Sequence, residues 1–332
     1  MMQLVTIKDV AKRAGVAVST VSRVINRSGY VGEETRRKVQ SAMRELNFQP
    51  NRIARGLVSR QTSTIGLLIP DVANPFFAEL ARGVEDAAIA RGYSVLLCNS
   101  DWNAVREQMY MHLLHGRWVD GIVVVGSRSE VVAIREAADE TPMVLVDRRS
   151  SDFEWAVWTD NHLGAVMAVR HLLEIGCRDI IHLAGPADSP SAQERRRGYE
   201  DAMRAAGFAP ISLEGDFRYA SGFSLISELI AAGRTLDAIF AGNDLMAIGA
   251  IQAATRMGVD VPRDLAIVGY DNIPSAHYVS PSLTTIEQPA YEMGKTSFEL
   301  LYELLTNEEL DYQQPIKFEP KLIVRESSHR PI

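Results

Sequence analysis

Two groups of residues in this 332-residue sequence have the types and spacing to do chemistry. The first is compact. Val18, Ser19, Ser22 and Arg23 fall on one face of a predicted helix whose other face carries Val21, Val24 and Ile25. Small hydroxyls beside one arginine suit a base-pair edge, because a guanidinium donates bidentately to guanine O6 and N7. The second group is scattered: Asn74, Phe76 and Phe77, then Asp147 with Arg148, then Arg195, Asn243, Asp271 and Gln288. Most of these follow a short apolar run. Aromatic rings stack on the apolar face of a sugar, while Asp, Arg, Asn and Gln exchange hydrogen bonds with its hydroxyls. Charged groups that each make two hydrogen bonds match vicinal diols. Ser127, after the third apolar strand, is a further candidate.

The elements that must hold these groups are readable. Thr6 to Ile25 consists of two short amphipathic stretches around Gly15, which supplies a sharp turn, so a helix-turn-helix is expected. Ile7, Val10, Ala11 and Ala14 form the inner face of its first helix. A third helix is predicted over Glu33 to Leu46, capped at Gly32, with Val39, Met43 and Leu46 closing a small core. Arg36, Arg37 and Lys38 on its polar side can meet phosphates or simply face water.

At once there follows Asn47-Phe48-Gln49-Pro50-Asn51-Arg52-Ile53-Ala54-Arg55-Gly56-Leu57. From Thr6 through Leu57 the chain resembles the LacI/GalR family of bacterial transcription regulators. That resemblance implies operator contacts from Thr6, Val18, Ser19, Thr20, Ser22, Arg23 and Asn26. It also implies a short hinge helix whose Asn51, Ala54, Arg55 and Leu57 meet DNA, with Leu57 wedging a minor-groove step opposite its dimer mate. So short a helix does not persist alone in water, and Gly56 weakens it further.

Beyond Ser63 the pattern alternates. Strands are expected at Thr64–Ile69, Ser94–Asn99, Gly121–Val125, Met143–Val146, Ile180–Ala184, Ala238–Ala241, Ala266–Tyr270 and Lys321–Val324, and helices at Phe77–Arg91, Val105–Leu114, His162–Leu173 and Arg195–Ala206. Near-continuous Val, Ile and Leu indicate parallel strands covered on both faces. Ligands of such sheets bind beyond the carboxyl ends of the strands, where the scattered group lies. The body resembles the periplasmic sugar-binding fold, and its candidate set is similar to that of ribose-binding proteins. The resemblance implies a small sugar effector, D-ribose by its pattern, with Phe217 as an opposing ring. The expected fold is an all-α helix-turn-helix head (1–49), a hinge and linker (50–63), and an α/β periplasmic-binding-protein-like body of two doubly wound parallel-sheet lobes. One lobe takes 64–161 plus about 291–319, the other 162–290 plus about 320–332.

Bulk properties narrow the function. Residues 1–60 carry 12 Lys and Arg against 4 Asp and Glu, whereas the remainder carries 23 against 38, so a basic head joins an acidic body. No apolar run approaches the roughly 18 to 20 residues that span a bilayer, and no signal peptide opens the chain. A cytoplasmic protein without membrane contact is expected. Those features disfavour a sugar-transport protein. Cys98 and Cys177 lack cysteine neighbours and read as buried thiols. No phosphate-cradling loop, nucleophile elbow or dinucleotide fingerprint occurs, so no enzyme and no cofactor is expected. His112 and His115 share a helix face but lack a third ligand, so no metal is expected. No leucine heptads follow the last predicted strand, and a homodimer on a pseudo-palindromic operator is expected. A purine corepressor within the same family is the alternative effector.

Overall fold

The computed structural model describes residues 5–26, 28–48, 62–115, 119–148, 153–307 and 315–329. The hinge candidates Asn51, Ala54, Arg55 and Leu57 lie outside the described residues. The chain divides into two compact units at Thr62 and Ser63.

The first unit holds three helices: α1 (Ile7–Ala14), α2 (Val18–Asn26) and α3 (Glu33–Glu45). Asp9 starts α1 by accepting from both the backbone N–H and the hydroxyl of Thr6, at 2.8 and 2.7 Å. Gly15 ends it at φ +68°, the left-handed conformation that glycine adopts without strain. Val10, Ala11, Val21, Val24, Val39 and Ala42 are buried together, with Met43, Leu46 and Phe48 packed around them. An Arg13–Glu45 ion pair ties α1 to α3 on the surface.

The second unit contains two six-stranded sheets. In the first lobe, β1 (Thr64–Ile69), β2 (Ser94–Asn99), β3 (Gly121–Val125), β4 (Met143–Val146), β5 (Ala156–Thr159) and β11 (Ile316–Phe318) stand in the order β11-β5-β4-β3-β1-β2. In the second, β6 (Ile180–Ala184), β7 (Ile211–Glu214), β8 (Ala238–Ala241), β9 (Ala266–Asp271), β10 (Thr284–Glu287) and β12 (Lys321–Ile323) stand in the order β12-β10-β9-β8-β6-β7. The inner strands are buried at every residue in β3, β4, β6, β8 and β9, as apolar runs covered on both faces require. Edge strand β2 departs from that expectation, since Leu96 and Leu97 remain 41% and 42% exposed. Pairing is parallel throughout except that β12 runs antiparallel to β10.

The first lobe's helices are α4 (Pro75–Ala90), α5 (Ala104–His115), α6 (Val131–Ala138) and, from late in the chain, α12 (Ala290–Thr306). The second lobe has α7 (Asn161–Glu174), α8 (Pro190–Ala205), α9 (Tyr219–Ala231), α10 (Asp244–Arg256) and the short α11 (Ser275–Tyr278). The chain therefore passes between lobes three times, at β5–α7, β10–α12 and β11–β12. Two helices start more than one residue earlier than their apolar periodicity predicts. Asn74 accepts from the Phe76 N–H and Ser189 from the Ala192 N–H, each followed by proline in the first turn, so α4 and α8 begin at Pro75 and Pro190. Arg195 consequently lies in the second turn of α8 rather than at its start.

Helices α4 and α12 touch backbone to backbone. A Cβ on Gly294 would lie 2.0 Å from the Leu80 carbonyl oxygen, and one on Gly83 2.1 Å from that of Tyr291. Gly294→Ala gains about 0.5–1 kcal/mol of helix propensity but incurs overpacking of about 1–3 kcal/mol. A net loss of stability is expected, read as a lower urea midpoint at unchanged slope; an unchanged or raised midpoint would show that the helices can part freely.

Candidate ligand pocket and nucleic-acid interface

The carboxyl ends of the strands converge on a small space between the lobes, lined by Asn74, Phe76, Phe77, Asp147, Arg195, Phe217, Asn243 and Asp271, with Trp102 and Ser191. Its volume is about 10 Å³, room for about one water, so a sugar enters only if the side chains part. Arg195 is 3% exposed. Its Nε donates to Asn161 Oδ1 at 2.8 Å, its Nη1 donates to the Gly242 carbonyl at 2.5 Å, and Nη1 stands 3.5 Å from Asp271 Oδ1. The guanidinium lies 3.8 Å from the Tyr270 ring centroid and 5.8 Å from that of Phe217.

Two buried carboxylates share this cation. Burial pushes the Asp271 carboxyl up to about 7, against the opposing pull of Arg195 and the Gln288 amide. Burial also raises Asp147, offset by Arg195, Asn161 and Ser191. One guanidinium therefore faces two carboxyls that burial pushes toward the protonated form, and hydroxyl donors from a neutral polyol would favour their charged form.

The backbone around the pocket is bent to aim these groups. Trp102, Asp147, Phe217 and Asp271 have φ of 56°, 58°, 66° and 109°, left-handed values that non-glycine residues adopt rarely. Asn243 holds Phe217 in place: its Oδ1 caps α10 by accepting from the Met246 N–H, and its Nδ2 donates to the Phe217 carbonyl at 2.8 Å. Gly185 leaves room for the ring, since a Cβ there would lie 2.1 Å from Phe217 Cζ.

Three expected ligand residues do not line this space. The Ser127 hydroxyl donates to buried Glu107 at 2.6 Å. Arg148 donates to the carbonyls of Ser127 and Ser129, because that loop leaves both without strand partners. Gln288 donates to Asp271 Oδ1 at 2.8 Å and borders a separate cavity of about 410 Å³ beyond Phe76 and Asp271. Conversely, sequence reasoning missed Trp102 and Ser191. Trp102 follows the carboxyl end of β2 as Asn74 follows that of β1, and Ser189-Pro190 is a helix start that puts Ser191 one turn ahead of Arg195.

In the head, Val18, Ser19 and Arg23 are exposed on α2, whereas Thr20 and Ser22 are half-buried and Asn26 is the last residue of the helix. The hydroxyl and N–H of Thr6 both donate within the cap of α1. Arg37 and Lys38 on α3 pair with Glu33 and Glu34 one turn earlier, in exposed ion pairs of little energetic weight.

Comparison with known proteins decides the lineage. The profile for bacterial regulatory proteins of the lacI family matches residues 6–51, and that for a periplasmic binding protein-like domain matches residues 169–328. The ribose operon repressor of Halalkalibacterium halodurans is 41% identical over 328 residues, covering 98% of this chain and 97% of its own. The chain belongs to the lacI family. The HTH-type transcriptional repressor PurR of Edwardsiella ictaluri is 38% identical over 331 residues, covering 98% and 97%. The crystal structure of the Lac repressor dimer bound to operator and the anti-inducer ONPF superposes with a TM-score of 0.90 at 30% identity, covering 98% of this chain and 99% of that one. As a lacI-family protein this chain is a DNA-binding transcription regulator.

Two outcomes follow from this geometry. Arg23→Ala is expected to lose about 1–3 kcal/mol of discrimination at one base position, measured by binding to a panel of single-base operator variants. An equal loss on every sequence would make Arg23 a phosphate contact. For the pocket, a polyol that donates to Asp271 selects its carboxylate, whereas the free protein holds the proton below about pH 7. Affinity should therefore be level above about pH 8 and weaken by up to about tenfold per unit as pH falls below about 7, by calorimetric titration. Affinity that rises on acidification would mean that the ligand accepts from the protonated acid.

Proposed function

We propose that this regulator is a homodimeric repressor whose heads bind a pseudo-palindromic operator and release it when a ribose-like sugar occupies the inter-lobe pocket. The observation that carries the reading is the buried Arg195, facing Asp147 and Asp271 in a space also lined by Phe76, Phe77 and Phe217. Rings for the apolar face of a furanose or pyranose stand next to groups that exchange hydrogen bonds with its hydroxyls. The name of the 41% identical relative agrees with this chemistry. A homodimer follows from the head's size, since one short reading helix makes too few base contacts for a specific site. The structure of the Lac repressor dimer on operator supports the same arrangement. Closure of the lobes on sugar would reset the hinge around Asn51, Ala54, Arg55 and Leu57, and a coupling of about 1–3 kcal/mol weakens operator binding about 5- to 150-fold.

D-ribose is expected to raise the dissociation constant for operator within that range, read from fluorescence anisotropy of labelled operator. Arg195→Lys keeps a buried cation beside Asp271 but loses the planar fork, so it should bind operator normally and respond to sugar at least about tenfold less sensitively. A second reading has its own support. The 38% identical relative is named as PurR, and the same rings would stack on a purine. Tighter operator binding on addition of guanine or hypoxanthine, with no response to pentoses, would replace the sugar by a purine corepressor.

A further inference from the structure

We propose that Trp102 sets the size of the effector, roofing the pocket so that it admits a free monosaccharide and excludes glycosides and nucleosides built on the same sugar. The inference rests on the sugar reading above and deepens it. Among the described residues that line the pocket, Trp102 alone is not fully buried; Phe76, Phe77 and Phe217 are 3%, 3% and 6% exposed, and the polar lining groups are equally covered. The indole is therefore the lining side chain that also meets solvent.

Its contacts span the two lobes. The ring packs against the core of the first lobe and against that of the second. Its centroid lies 5.7 Å from that of Phe77, edge to face, and 5.6 Å from that of Phe217. The Arg128 guanidinium covers the indole at 4.9 Å and pairs with Asp188 of the opposite lobe at 3.2 Å. Neighbouring Asp101 accepts from Arg218 of that lobe at 2.7 Å. Asp101 and Trp102 both sit at positive φ, 54° and 56°, a turn kept only where its surroundings hold it. The Asp101–Arg218 pair is half-exposed and contributes little by itself, so the aromatic packing carries the closure. A substituent projecting past the sugar would have to displace the indole from Phe77, Phe217 and Arg128 together, and a clash of that kind is how a pocket rejects a larger relative of its ligand.

The test is calorimetric titration of the full chain with D-ribose and with phenyl β-D-ribofuranoside, using wild type, Trp102→Ala and Trp102→Phe. Wild type should prefer the free sugar by about 100-fold or more. Trp102→Ala should bind the free sugar about tenfold more weakly, from the lost ring contacts, and its preference should fall below about tenfold. Trp102→Phe should lie between. Thermal unfolding and operator binding establish that each variant is folded, and the phenylalanine variant carries the test if the alanine variant is not. A folded variant that keeps the wild-type preference overturns the proposal, as does a wild type that accepts the glycoside as readily as the sugar. A wild type that binds no free pentose overturns the sugar reading itself, whatever the variants do.

Discussion

The guanidinium of Arg195 is the constraint around which the ligand-binding unit is organised. It is buried, so it must be paired and hydrogen-bonded, and the chain meets that demand from separate places: Asn161 at the first crossing, the carbonyl of Gly242 after β8, and Asp271 at the end of β9. Asn161 in turn reaches Asp147 at 3.5 Å, at the end of the first lobe's β4. A side chain on α8 of one lobe is thus connected to a strand end of the other by one amide. Removing a partner from such a buried pair costs on the order of 3–5 kcal/mol, which makes the arrangement all-or-none rather than gradual. Under the proposed sugar reading, hydroxyls entering there would act on a network that already bridges both lobes.

Legibility from the sequence followed how local each signal was. The apolar runs of β1, β4 and β8 mark their own ends, and Asn74, Asp147 and Asn243 past those ends fall at the pocket as the strand-end rule requires. The head was equally readable because Gly15, the Thr6–Asp9 cap and the two apolar stripes are signals within a few residues of one another. What failed was competition that no local window reveals. Arg148 stands next to Asp147 in sequence, yet the carbonyls of Ser127 and Ser129 claim its guanidinium, and Glu107, on a different helix, claims the Ser127 hydroxyl. The early start of α8 was legible in Ser189-Pro190, but apolar periodicity alone points to Arg195.

Several residues at the pocket have two jobs, which explains why it tolerates strain. Asn74 and Asn243 line it while capping α4 and α10, so each polar group there is fixed by a helix start rather than by a rotamer choice alone. Positive φ at Asp147, Phe217 and Asp271 has a cost in backbone energy, offset by the packing of the rings and by the hydrogen bonds just described. The polar groups capped in this way are held in place before a ligand arrives and lose less entropy on binding, although the lining side chains must still part.

The order in which the chain visits the lobes bears on synthesis. The first lobe's sheet begins at residue 64 but takes its edge strand from Ile316–Phe318 and covers α4 with Ala290–Thr306, after all of the second lobe's strands except β12 have been threaded between. A growing polypeptide emerging from the ribosome can collapse β1 to β5, yet it leaves the face of α4 that meets α12 uncovered until more than a hundred further residues have appeared. The second lobe receives β12 three residues after β11 ends, so both lobes are completed almost together. Nascent chains stalled before about residue 290 would present an apolar helix face to the chaperones around the exit tunnel.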